Sequence, residues 1–150
     1  MSKSTPRGVR NNNPGNIDFN PRNNWQGQLG LELGVSRPRF ARFDTPENGI
    51  RALAKLLLNY RGKDGMPGVG GHGIDTVRET INRWAPGNEN DTEAYIAAVA
   101  KALGVRPNAV IDVRQRPVLR ALVVEIIKHE NGRQPYAAAV IDEGVRRALA

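Results

Sequence analysis

With fifteen acidic residues, two histidines and no cysteine, this chain has few ways to do chemistry. Without a thiol there is no cysteine nucleophile and no thiolate metal ligand. His72 and His129 lie far apart and neither belongs to an H-E-x-x-H pair, so no metal site is predicted. The only serines, Ser2, Ser4 and Ser36, form no Ser/His/Asp arrangement. Acid/base work by carboxylates remains. Glu47, Glu79 and Glu93 sit where helix starts favour negative charge, and Asp44 and Asp91 are candidate caps. Of the other candidates, Glu89, Asp18, Glu32 and Glu130, Glu130 has the most distinctive setting. In Pro117–Gly132, Leu119, Leu122, Val123, Ile126 and Ile127 form one apolar stripe at helical spacing, and Glu130 continues it. A carboxylate carried toward the core at a helix end is partly desolvated, which raises its pKa and suits it to general-acid chemistry. The same spacing also fits an ordinary glutamate emerging into solvent at a frayed end. Glu32 either faces a cleft as a second carboxylate or lies on a solvated strand face.

The elements that must position these groups follow from local patterning. Residues 1–10 read as a flexible basic lead-in and 11–150 as one domain. Asn11–Gly15 is turn-forming, because Asn tolerates left-handed backbone and Pro-Gly punctuates. Asn16–Phe19, Trp25–Leu33 and the stretch between Phe40 and Phe43 read as short extended segments of an irregular β-hairpin region. A helix opens at Pro46, capped by Thr45, and presents Ile50, Leu53, Leu57 and Tyr60 on one face. The glycine-rich stretch Lys63–Gly73 lacks the ending of a phosphate loop and reads as a connector. Thr76 and Glu79 have capping-box spacing ahead of Val77, Ile81 and Trp84. Asn90 and Glu93 are set to cap a helix striped by Tyr95, Ile96, Val99 and Leu103 and closed by Gly104. A last helix carries Val140, Ile141, Val145 and Leu149. The predicted fold class is mostly α (α+β): one helical domain with a small irregular β-hairpin flap.

The net charge of +7 points to an anionic partner: nucleic acid, an acidic membrane surface or a polyanionic cell wall. The charge is dispersed, with no dense Lys/Arg run, and aromatic residues make up only 5%, which argues against a nucleic-acid platform. No apolar run approaches the ~20 residues that span a bilayer, and the N-terminal stretch has no signal-peptide pattern.

Three blocks, RNNNPGNI (Arg10–Ile17) with the hairpin and FARFDTPENGIRALAKLL (Phe40–Leu57), INRWAPGNENDTEAYIAAVAKAL (Ile81–Leu103) and ALVVEIIKHENGRQPYA (Ala121–Ala137), resemble lysozyme-like peptidoglycan glycosidases, the superfamily of phage muramidases and lytic transglycosylases. Arg10–Ile17, RNNNPGNI, with the hairpin and Phe40–Leu57, FARFDTPENGIRALAKLL, is similar to the region that follows the catalytic Glu in those enzymes. Ile81–Leu103 resembles a later transglycosylase block, with Tyr95 at its tyrosine position and RWAPG replacing the usual turn. Ala121–Ala137 resembles the helix-Glu-Ser-Gly block that carries the catalytic Glu, with Asn131 in place of Ser. The resemblance implies a lysozyme-like domain whose parts occur in circularly permuted order. It implies cleavage of the β-1,4 bond between N-acetylmuramic acid and N-acetylglucosamine, with Glu130 protonating the leaving oxygen and no cofactor. A hydrolase would recruit Glu32 or Asp18 to activate water, whereas a transglycosylase would use the muramoyl hydroxymethyl oxygen. Asn13, Asn16 and Trp25 are expected in the sugar cleft. Tyr95 is expected either beside Glu130 or the acetamido group, or in the core. Trp84 and Tyr60 are expected in the core. The implied partner is bacterial peptidoglycan, reached from the host cytoplasm with a holin or carried among other phage particle proteins. The alternative is a non-catalytic basic virion protein that binds nucleic acid or cell wall.

Overall fold

The structure is a computed structural model that describes residues 5–86 and 91–150. Asn90 and Glu89, considered above as a cap and as a candidate acid, lie outside the described residues. Among the described residues, six α-helices and a two-stranded antiparallel sheet follow in the order α1 (Arg7–Arg10), β1 (Gln28–Leu31), β2 (Ala41–Phe43), α2 (Pro46–Asn59), which runs into a 3₁₀ turn (Tyr60–Gly62), α3 (Val77–Trp84), α4 (Thr92–Leu103), α5 (Arg116–Asn131) and α6 (Ala138–Leu149). The protein is mostly α with a small β-hairpin, as its patterning predicts.

Helix α5 runs through the core. The five apolar residues of its stripe are fully buried, and α2, α4 and α6 pack around it. Its ends obey local rules: Pro117 lies in the first turn and Gly132 closes the helix in the left-handed region. Around it, Thr45 Oγ1 accepts from Asn48 N–H to cap α2 (3.2 Å), and Asp91 caps α4. Asp44 caps nothing; its carboxylate accepts from the Asn48 side chain instead. Glu79 does more than favour a helix start. Its buried carboxylate accepts from the N–H of Met66 (2.7 Å) and Asp75 (3.2 Å) and from the Thr76 hydroxyl (2.9 Å), so it pins the glycine-rich loop to α3. Burial opposes the charge, yet these donors prevail and hold the Glu79 carboxyl below its ordinary range.

Part of the expected flexible lead-in is structured. Residues 7–10 form a helical turn, and the backbone of Gly8 lies so close to Asn13, Asn16 and Asn131 that a Cβ there would meet oxygens at 2.7–2.9 Å. The reason is an ion pair that short-range patterning does not reveal. Arg7 chelates Glu32, whose carboxylate also accepts from Asn11 Nδ2 (3.0 Å) and from the N–H of Arg39 (2.8 Å) and Phe40 (3.1 Å).

The turn that follows α1 is almost wholly buried, and asparagine side chains satisfy its polar groups. Asn13, fully buried, donates through Nδ2 to the carbonyls of Ile17 and Ala41 (2.9 Å each) and accepts at Oδ1 from Ile17 N–H (3.0 Å). Asn12 and Asn16 adopt positive φ, which asparagine tolerates better than most residues. The Phe43 N–H donates to the Asn11 carbonyl (2.8 Å), which ties the turn to β2. Residues 17–19 then run along β2 from the side opposite β1, with an Asp18–Phe40 bridge and a bond from Ala41 N–H to the Ile17 carbonyl (2.9 Å).

Gly49 in α2 makes this docking possible. A Cβ there would stand 1.7 Å from the Asn12 carbonyl oxygen, so the turn rests directly on the helix backbone. Gly49→Ala should therefore destabilise by about 1–3 kcal/mol, a fall in Tm of roughly 3–10 °C for a chain of this size. An unchanged melting curve would show that the turn does not sit on α2. The Glu32 anchor yields a pH prediction. Its bond to Arg7, backed by the Arg39, Asn11 and Phe40 donors and opposed by burial, holds the carboxyl well below the usual range. A folded-state pKa below the unfolded value of ~4.3 contributes stability at neutral pH that is lost as the pH falls through the acid range. The Tm of Glu32→Gln should lie below wild type at pH 7, and the gap should narrow toward pH 3. A gap independent of pH would contradict the assignment.

Candidate functional site

Five segments converge on a cleft of about 360 Å³. Gly15, Asn16, Ile17 and Asp18 come from the turn, and Arg39 and Phe40 from the hairpin. Leu56 and Tyr60 come from the end of α2, Trp84 and Ala85 from the end of α3, and Glu130 from the last turn of α5. Three aromatic faces and four polar or charged side chains thus share one concave surface, a composition suited to a polar ligand with apolar faces.

Glu130 is placed by the helix that carries it and by the turn against which that helix ends. The Asn131 Nδ2 donates to the Pro14 carbonyl and to the Ile127 carbonyl (2.8 Å each), locking the C-terminal turn of α5 to the asparagine turn. One residue earlier, the half-buried Glu130 accepts at Oε1 from Asn16 Nδ2 (3.3 Å). Glu130 therefore stands beside the 11–43 region and in one cleft with Asp18, although 112 residues separate the two in the chain. Asp18 is exposed and pairs with Arg39 Nε (2.6 Å), also exposed. Both Arg7 and Arg39 lie over the Phe40 ring, at 4.6 and 5.2 Å from its centroid.

Of the residues assigned to the site from sequence, Glu130, Asp18 and Asn16 line this cleft, whereas Glu32, Asn13, Trp25 and Tyr95 do not. Glu32 faces inward: its side chain is 1% exposed and saturated by donors, so it serves as the buried anchor of the hairpin rather than a second carboxylate in the cleft. An alternating strand pattern cannot reveal that an arginine 25 positions upstream closes over it. Asn13 is consumed by backbone bonds. Trp25 is half-buried against the core, away from the cleft lining. Tyr95 lies behind the cleft wall, stacked on His129 with ring centroids 4.2 Å apart. Burial first, then the nearby Glu130 charge, push its phenol well above the ordinary value.

Two aromatics expected in the core, Trp84 and Tyr60, pack against it half-buried and also line the cleft. The Trp84 ring packs on Gly15, where a Cβ would come within 3.1–3.3 Å of it. Tyr60 closes the end of α2 in a 3₁₀ turn, with Arg83 over its ring at 5.5 Å. Both belong to apolar helical stripes, and both sit at helix ends, where a stripe runs out of core and meets solvent. That position was the available signal. Arg39 and Phe40 carried none, since the hairpin's approach to α3 and α5 is not encoded in local spacing.

Among the described residues, no cluster of three or more His, Asp or Glu side chains could hold a metal ion, and no helix is long and apolar enough to cross a membrane. No protein-family profile matches the chain. It is similar to Protein P5 of Pseudoalteromonas phage PM2, with 38% identity over 140 residues, an alignment covering 92% of this chain and 79% of that protein. The likeness takes in nearly every element described above, and with it the chain belongs to the family of the phage PM2 Protein P5.

Proposed function

We propose that this phage-family protein is a peptidoglycan-degrading glycosidase that cleaves the β-1,4 bond between N-acetylmuramic acid and N-acetylglucosamine, with Glu130 as general acid/base. The observation that carries this reading is the placement of Glu130. It is a carboxylate on the last turn of a buried helix, held by Asn16, in a cleft lined by Trp84, Tyr60, Phe40 and Asp18. In the family resemblance the catalytic Glu closes a helix that precedes an Asn-Pro-Gly turn and a hairpin. Here α5 ends at Asn131, and Asn131 bonds to Pro14 of the turn. That adjacency supports a lysozyme-like domain in permuted order, the arrangement chain permutation leaves when the elements stay in place.

In the proposed reaction, Glu130 gives its proton to the glycosidic oxygen as the bond to the muramoyl C1 breaks. Asn16 holds the carboxylate in place, and the aromatic faces of Trp84 and Tyr60 pack on the sugar rings. With Glu32 committed to Arg7, Asp18 is the remaining carboxylate in the cleft that could assist water. The transglycosylase route needs no such helper, because the muramoyl hydroxymethyl oxygen attacks C1 and Glu130 takes its proton. The net charge of +7 favours approach to an anionic wall. A virion or lysis-stage setting fits the phage family equally well.

Glu130→Gln should lower clearing of purified peptidoglycan by at least about 100-fold, the lower end of what a positioned acid/base contributes, while leaving the Tm near wild type. Undiminished clearing by the folded variant would refute the assignment. Asp18→Asn separates the two routes. A hydrolase should lose most of its activity and release reducing muramic acid ends; a transglycosylase should retain activity and release 1,6-anhydro ends, as read by mass spectrometry of the products.

A further inference from the structure

A second cavity, of about 470 Å³, opens where α6 lies against α2. Arg51 of α2, Glu143, Arg146 and Arg147 of α6, Gln26 and Ala150 line it, and none of them belongs to the Glu130 cleft. The two helices meet closely: a Cβ on Gly144 would stand 2.5 Å from Ile50 Cγ2 and 3.1 Å from the Glu47 carbonyl oxygen. Just beyond that contact, Arg51 on one helix and Arg147 on the other are brought to one cavity although like charges repel.

Pairing within the fold leaves positive charge over. Arg146 donates through Nε and Nη2 to the two oxygens of Glu143 (2.8 Å each), and Arg147 donates through Nε to the same carboxylate (2.7 Å). One glutamate thus serves two arginines. Those bonds, Arg146 first, hold the Glu143 carboxyl down to about 2, so it stays ionised at neutral pH. Arg147 is fixed further by its Nη1, which donates to Asn48 Oδ1 (3.1 Å), an oxygen that also accepts from Gln26 Nε2 (3.4 Å). The Arg51 guanidinium makes no hydrogen bond or ion pair among the described residues; Glu47, one turn before it, lies beyond ion-pair distance. The cavity side chains therefore carry three positive charges against one negative. Nη1 of Arg146, Nη2 of Arg147 and the whole Arg51 fork are left as donors.

The chemistry of those donors selects the anion. Arginine forks match phosphate oxygens in pairs. An excess of two positive charges suits a phosphate monoester, which carries about 1.5 to 2 negative charges near neutral pH. A nucleic-acid backbone is met by a row of cations along its track, and its bases by aromatic faces. This is a single cup with no aromatic side chain on its lining. We infer that the cavity binds a phosphate monoester group, gripped by Arg51 from α2 and Arg147 from α6, with Glu143 holding Arg146 and Arg147 in place. The site is separate from the Glu130 cleft and does not depend on the reaction proposed there.

Titration calorimetry of the full chain with inorganic phosphate, at neutral pH and with ionic strength matched by chloride, should show one-to-one binding. Arg51→Gln and Arg147→Gln should each weaken it about tenfold or more, the loss of one charge-assisted hydrogen bond. Arg106→Gln removes the same charge from an exposed residue between α4 and α5 and should change it less than about twofold. Arg51→Gln breaks no bond of the fold, so its Tm should match wild type. Two sources carry such a group. Glucose 6-phosphate binding like inorganic phosphate, without retention on phosphatidylcholine vesicles containing phosphatidic acid, would assign a soluble ligand. Arg51-dependent flotation with those vesicles, competed by inorganic phosphate, would assign a lipid headgroup. Absence of phosphate binding, or equal weakening in Arg51→Gln and Arg106→Gln, would overturn the proposal. So would Arg51-dependent binding of duplex DNA that phosphate does not compete.

Discussion

An irregular stretch of backbone, residues 11–17, is buried between α2, α5 and the hairpin, and every element around the cleft depends on it. Buried peptide groups outside helix or sheet must find partners or cost free energy comparable to a lost hydrogen bond. Here asparagines supply them. Asn12 donates to the Phe43 carbonyl, Asn13 to Ile17 and Ala41, Asn11 to Glu32, and Asn131 reaches across from α5 to Pro14. The amide side chain offers a donor and an acceptor without a charge to desolvate, which is why it suits a turn that must be both irregular and dry.

Two charges are drawn into this arrangement with opposite consequences. Glu32 is buried, paired with Arg7 and surrounded by donors, so it stays ionised and ties α1 to the hairpin. Glu130 is half-buried, accepts from the Asn16 amide of the turn, and lines the cleft. A carboxylate committed to several donors is poorly suited to exchange a proton, whereas one at the border of the core and an open cleft can meet a ligand. The difference between the two glutamates lies in their surroundings, since residue type and local alternation treat them alike.

The aromatic residues make a parallel point. Tyr95, Trp84 and Tyr60 all belong to helical apolar stripes. Tyr95 lies early in α4 and is buried beneath the cleft, while Trp84 and Tyr60 lie at the ends of their helices and open onto it. A stripe specifies which face of a helix turns inward; it does not specify where the core stops.

Local physics in the chain was enough for the helices, their caps and the α5 stripe, because apolar periodicity, Thr45, Asp91, Gly104 and Gly132 act over a few residues. It was also enough to single out Glu130 as a carboxylate at a helix end. Three matters were settled only when distant segments met: the burial of Glu32 by Arg7, the structured state of residues 7–10, and the sharing of one cleft by Glu130, Asp18 and Asn16. Each depends on pairs separated by 25 to 114 residues. Contacts of that kind arise from the packing of whole elements, to which the spacing of neighbours is blind.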